Sequence, residues 1–132
     1  MLDQVRRWVE RRGRRWDERR YQQAEARAQA AQARLGGQSV EAWLQAAGVS
    51  VIESPAPARF GTALVRATVD LDTRQITVYR ETVPSDQRGT VIAHEAFHLL
   101  DPDCPDPVAE MAAHLFAART TPIAVFPGAL DP

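Results

Sequence analysis

The residues with the most chemical content in this 132-residue chain are His94-Glu95-Ala96-Phe97-His98. Two histidines four apart share one face of a helix, so both imidazoles can reach a single metal ion. Glu95 stands beside the first of them, placed to take a proton from an attacking water. The bland alternative is a helix with two solvated histidines, one of them next to a surface acid. A hydrolytic site built on two histidines needs a third protein ligand and one open position. Glu110 lies twelve residues after His98, a spacing suited to a helix-loop-helix return. His114 is four residues further on, on the same face of that following helix, and Cys104 lies in the loop between. Glu110 is the favoured third ligand, with His114, Cys104 and a loop aspartate as the alternatives.

These groups need elements to hold them. A helix is predicted from a cap at Ser85 or Asp86 to about Leu100, where Asp101-Pro102 ends it. A second opens with Asp106 as capping acid and Pro107 at the first helical position, and runs to about Arg119. Upstream, residues 3–35 read as one long helix, with a weak kink site at Gly13 and a stop at Gly36-Gly37. Ser39 caps a short helix over 40–47 that Gly48 terminates, and 49–53 reads as a strand. The β-rich runs 64–71 and 75–80 form a hairpin around Asp72-Thr73-Arg74. Strands and helices are segregated, which predicts an α+β domain. Phe97, Leu99, Leu100 and Trp43 are expected in its core.

Composition narrows the class. The chain is 45% hydrophobic and 25% charged, ordinary for a soluble globular protein. Its apolar runs are too short to span a bilayer, and no leader pattern is visible. Cys104 is the only cysteine, so no intramolecular disulfide can form, and a reducing, cytoplasmic setting is expected.

The net charge of -1 hides an asymmetry. Residues 1–34 carry ten Arg against five acids, whereas residues 35–132 carry six Arg against twelve acids. All sixteen basic residues are Arg, and Lys is absent. The division expected is an Arg-rich helical arm, residues 1–37, ahead of a functional domain, residues 38–132. The Arg pairs spread around the arm rather than forming a stripe, which suits a solvated helix. A protein-interaction arm ranks second, and nucleic-acid contact third. Asp101, Asp103 and Asp106 read as capping and solubilising acids.

The stretch from Val40 to Pro122 resembles the ImmA/IrrE-type metallopeptidases, small bacterial and phage zincin-like domains. Ala47-Gly48-Val49-Ser50-Val51 after a short helix, and Gln75-Ile76-Thr77-Val78-Tyr79 about a dozen residues before Val91-Ile92-Ala93-His94-Glu95, carry part of the likeness. Glu110-Met111-Ala112-Ala113-His114-Leu115-Phe116-Ala117 resembles the family's E-x-x-A-N-x-F-A segment, with His114 in place of Asn. The resemblance implies a minimal zincin-like fold: a small antiparallel sheet, the H-E-x-x-H helix and a following ligand helix. It implies Zn2+ held by His94, His98 and Glu110, with Glu95 as general base. His114 and Tyr79 are candidates for a supporting or oxyanion-stabilising role. The strand 75–80 is expected as an exposed edge above the site, where an extended peptide could pair.

The function expected is therefore zinc-dependent hydrolysis of a peptide bond. The substrate implied by the resemblance is a specific regulatory protein, such as a transcriptional repressor. The alternative is a non-catalytic zincin scaffold that contacts a protein or nucleic acid through the Arg-rich helix. No membrane partner is expected.

Overall fold

The structure, a computed structural model, describes residues 15–55, 58–60 and 63–121. In chain order the described elements are α1 (Arg15–Arg34), α2 (Val40–Ala46), β1 (Ser50–Ser54), β2 (Ala58–Phe60), β3 (Ala63–Val65), β4 (Ala67–Asp70), β5 (Gln75–Tyr79), α3 (Arg88–Leu100) and α4 (Asp106–Thr120). A 3-10 turn, Ser85–Gln87, precedes α3. The class is α+β, as the segregation of helical and strand-like segments predicts.

Local chemistry explains the helix boundaries. Gly36 and Gly37 adopt φ of 62° and 83°. Side chains there would be strained, so the paired glycines end α1 cheaply. The Ser39 hydroxyl accepts the Ala42 N–H at 3.1 Å and caps α2. At the start of α3 the expectation fails: Ser85 and Asp86 lie in the 3-10 turn, and no side chain caps the helix. Asp106 is already helical in α4, one position later than a cap, because Pro105 takes that place in extended conformation.

The sheet departs from the expected antiparallel form. Its order is β1-β5-β4, with β1 parallel to β5 and β4 antiparallel to it. Ser50 pairs with Gln75 and Ser54 with Tyr79, which puts Val51 beside Ile76 on the helix-facing side. The strand 75–80, expected at an exposed edge, is consequently central. The edge nearest α3 is β4. The run 64–71 is also divided: Ala63–Val65 pairs with Ala58–Phe60 in a separate ribbon, and β4 begins only after Arg66. The hairpin turn into β5 is tied by the Asp70 carboxylate, which accepts the N–H groups of Asp72 and Thr73. Arg74, at φ 54°, completes the reversal.

The elements stack in order: α3 on the sheet, α4 against α3, and α1 along α4. Ile76 and Val78 project from β5 into a core that contains Phe97, Leu115 and Phe116. The rings of Phe97 and Phe116 join the two functional helices at a centroid distance of 5.9 Å. Tyr21, Ala24, Ala28 and Ala31 of α1, with Leu35 just past its end, belong to the same core. A solvated arm ending at residue 37 is therefore not what the described turns form. The small alanines let α1 approach α4 closely, and the boundary falls inside one continuous core. Residues 1–14, with Trp8 and the Gly13 kink site, lie outside the described residues.

Candidate metal centre

The H-E-x-x-H segment occupies the middle and last turns of α3, with one face buried. Val91, Ile92, Ala93, Ala96, Phe97 and Leu100 fill that face, which fixes the rotation of the helix. His94 and His98 consequently lie at its margin, partly buried, facing α4. On α4 the mostly buried run from Val108 to Ala117 sets the rotation in the same way and leaves Glu110 and His114 exposed.

These two orientations bring three donors together. The Nε2 of His94 is 3.2 Å from Oε2 of Glu110, and the Nε2 of His98 is 3.3 Å from Oε1. Ligating atoms of His94, His98 and Glu110 all fall within 4.8 Å of one another. Tetrahedral zinc with bonds of about 2.0–2.1 Å separates its ligand atoms by about 3.3 Å. The two nitrogen-oxygen distances, each to a different oxygen of Glu110, are close to that edge, and two imidazoles with one carboxylate are a donor set zinc accepts in catalytic sites. The residues present fit the ion. Glu110 is 70% exposed, so the cluster faces solvent on the side a substrate would need.

Electrostatics follow the geometry. Hydrogen bonds to His94 and then His98 hold the Glu110 carboxyl well below the usual carboxylate range. The same contact with Glu110 raises His98 above an ordinary imidazole. Glu95 is shifted the other way: its burial raises the carboxyl, and the adjacent histidines only partly offset this. A carboxyl raised in this way holds a proton more readily than an exposed one.

Two hollows flank Glu95. One, of about 290 Å³, is lined by Arg66, Ala67, Thr90, His94, Glu95 and His114, among others. The other, of about 630 Å³, runs beneath β4 past Val69, Glu95, His98, Asp101 and Glu110. The edge strand β4 borders both.

The remaining candidates are placed as follows. His114 packs edge-on against His94, ring centroids 4.6 Å apart, and lines the smaller hollow. Tyr79 follows Val78 on β5 and so points away from the helix-facing side; it lines neither hollow. Cys104 is buried beside Asp101, outside the three-residue cluster, and burial raises its thiol pKa. Asp101 is no solubilising surface acid. It is 5% exposed, and both its oxygens accept from Arg27 Nη1 at 3.0 Å. The spacing of Arg27, Arg34 and the α1 alanines held the clue to this packing, but nothing in one sequence names the acid on the far side.

No protein-family model matches the chain, and no significant match was found among curated proteins or among solved structures. Among the described residues no helix is long and apolar enough to cross a membrane.

Proposed function

We propose that this protein is a zinc-dependent peptidase of the zincin-like type, similar to the ImmA/IrrE metallopeptidases, acting in the cytoplasm on a specific regulatory protein. The observation that supports this most is the convergence of His94, His98 and Glu110 from two helices, with Glu95 partly buried beside them. His94, His98 and Glu110 would hold the ion, which when bound supplies Lewis acidity to the scissile carbonyl and makes water more acidic.

The chain's own residues do the rest. Glu95 accepts the proton of the attacking water as the C–O bond forms and the carbonyl becomes a tetrahedral oxyanion, then delivers that proton to the amine as the peptide C–N bond breaks. Its raised pKa lets one carboxyl serve as base and then as acid. An extended substrate segment is held along β4, whose outer side has no strand partner among the described residues. The two hollows on either side of Glu95 then receive the side chains flanking the scissile bond. His114, at the wall of the smaller hollow and outside the three-residue cluster, is the imidazole left over for contact with a developing oxyanion.

The test is cleavage itself. Zinc-loaded wild-type protein and Glu95→Gln are incubated with a proteome extract, and newly exposed peptide N-termini are labelled and sequenced. Sites that appear with wild type and are missing with Glu95→Gln support the reading. Identical N-termini from both proteins would remove it.

A further inference from the structure

The arginines of α1 do more than decorate its surface. Arg27 reaches across to Asp101, the residue that follows α3, and Nη1 lies 3.0 Å from each carboxylate oxygen. Arg34, two turns further along the same face, donates to the main-chain oxygen of Leu100, the last residue of α3. The last carbonyls of a helix lack intrahelical partners, and a cation placed there meets the negative end of the helix dipole. A third contact comes from Glu25, which accepts from Arg119 near the end of α4 at 3.0 Å. Arg27 and Arg34, on one flank of the buried alanine stripe, thus hold the end of α3, whereas Glu25, on the opposite flank, reaches only the far end of α4.

The corner at Asp101 is where this grip matters. Asp101 lies three residues after His98, and only residues 102–105 separate it from α4. Its N–H bonds to the Phe97 oxygen, and its own oxygen accepts from Cys104 N–H, so the turn is organised around it. A buried carboxylate must be paired, and here one guanidinium nitrogen, Nη1, meets both of its oxygens, a position that the lysine ammonium, one bond shorter, does not reach in the same way. Asp101 thus sits on the short connection between His98 and Glu110, whose ligating atoms lie 3.3 Å apart.

We propose that Arg27 and Asp101, with Arg34 on the adjoining carbonyl, are positioning residues of the metal centre, making α1 a structural part of the site. This rests on the metal-binding reading of His94, His98 and Glu110. The probes are Zn2+ and Co2+ alone, added to the full chain. Zinc affinity is measured by competition with a chromophoric chelator, and coordination by the visible absorption of the cobalt form.

Loss of a partner in the outer shell of a metal site weakens binding by about 10–100-fold. Arg27→Ala and Asp101→Asn are expected to fall in that range and to alter the cobalt spectrum, with Arg27→Lys recovering only part. Glu25→Ala breaks a different ion pair of α1, away from the metal cluster, and controls for stability; it is expected to keep wild-type affinity and spectrum. Should Arg27→Ala prove unfolded, the milder Arg27→Lys and Asp101→Asn carry the same comparison. Wild-type affinity in folded Arg27→Lys and Asp101→Asn would overturn the proposal, as would equal losses in these variants and in Glu25→Ala. A wild-type chain that binds neither ion would instead overturn the metal-centre reading, and this inference with it.

Discussion

Glu110, in the second turn of α4, places a carboxylate oxygen 3.3 Å from Nε2 of His98 on a different helix. Neither residue contributes much to the core, yet both helices are turned so that the two meet. The rotation comes from what each helix buries: Phe97 and Leu100 on α3, Met111, Leu115 and Phe116 on α4. Packing thus presents the donor cluster, and the donor cluster itself adds little to packing.

Without metal, this pair gives the protein a pH signature. Glu110 is shifted below its ordinary 4.5, so its stabilising contribution is present above that value and is lost as pH falls. His98 is shifted above its ordinary 6.5, so its contribution is complete below that value and fades as pH rises through the raised pKa. The pair stabilises most between those two values. Thermal melts of metal-free wild type and Glu110→Gln, taken from pH 4 to 9, are expected to differ most in that window and to converge at high pH. Solvent exposure of Glu110 keeps the difference small.

Glu95 should show the opposite balance between stability and function. Its carboxylate is partly buried, and that burial opposes ionisation. Glu95→Gln removes the penalty, so metal-free Glu95→Gln is expected to melt higher at neutral pH, by on the order of a few degrees. Hydrolysis should fall by about 10²–10⁴-fold, the usual contribution of a positioned base. A differential scanning experiment and a cleavage assay on the same preparation check both halves.

The contact between α1 and α4 leaves no room for larger side chains. Ala28 is fully buried in it. Ala28→Leu is expected to cost about 1–3 kcal/mol through overpacking. Urea unfolding of wild type and Ala28→Leu measures this directly, and an unchanged midpoint would show that α1 is not packed as described.

Much of this arrangement was legible in the sequence, and for identifiable reasons. Helix punctuation by Gly36-Gly37, Ser39 and Gly48 is local chemistry, and it held to within a residue or two. The pairing of His94 with His98 was legible because i and i+4 spacing on a helix is itself a statement about geometry, whereas Glu110 was reached only through the helix-loop-helix spacing and the family resemblance, with His114 and Cys104 as rivals. The partner of β5 was not, since strand order depends on which distant segment covers its free side. Val51 beside Ile76 has no signature in either segment alone. The same limit hid Arg27 and Asp101, 74 residues apart in the chain. Charge patterning within residues 1–34 suggests a solvated helix. The alanine stripe of α1 argues for packing, and the structure shows that the stripe decides.

The central claim is that His94, His98 and Glu110 hold one zinc ion while Glu95 performs the proton transfer. Metal content by mass spectrometry, on protein incubated with zinc and then desalted, tests it most directly. About one zinc per chain is expected for wild type and for Glu95→Gln, with little or none for His94→Ala and for Glu110→Ala. A folded wild-type chain without zinc, or a His94→Ala chain that retains it in full, would contradict the account.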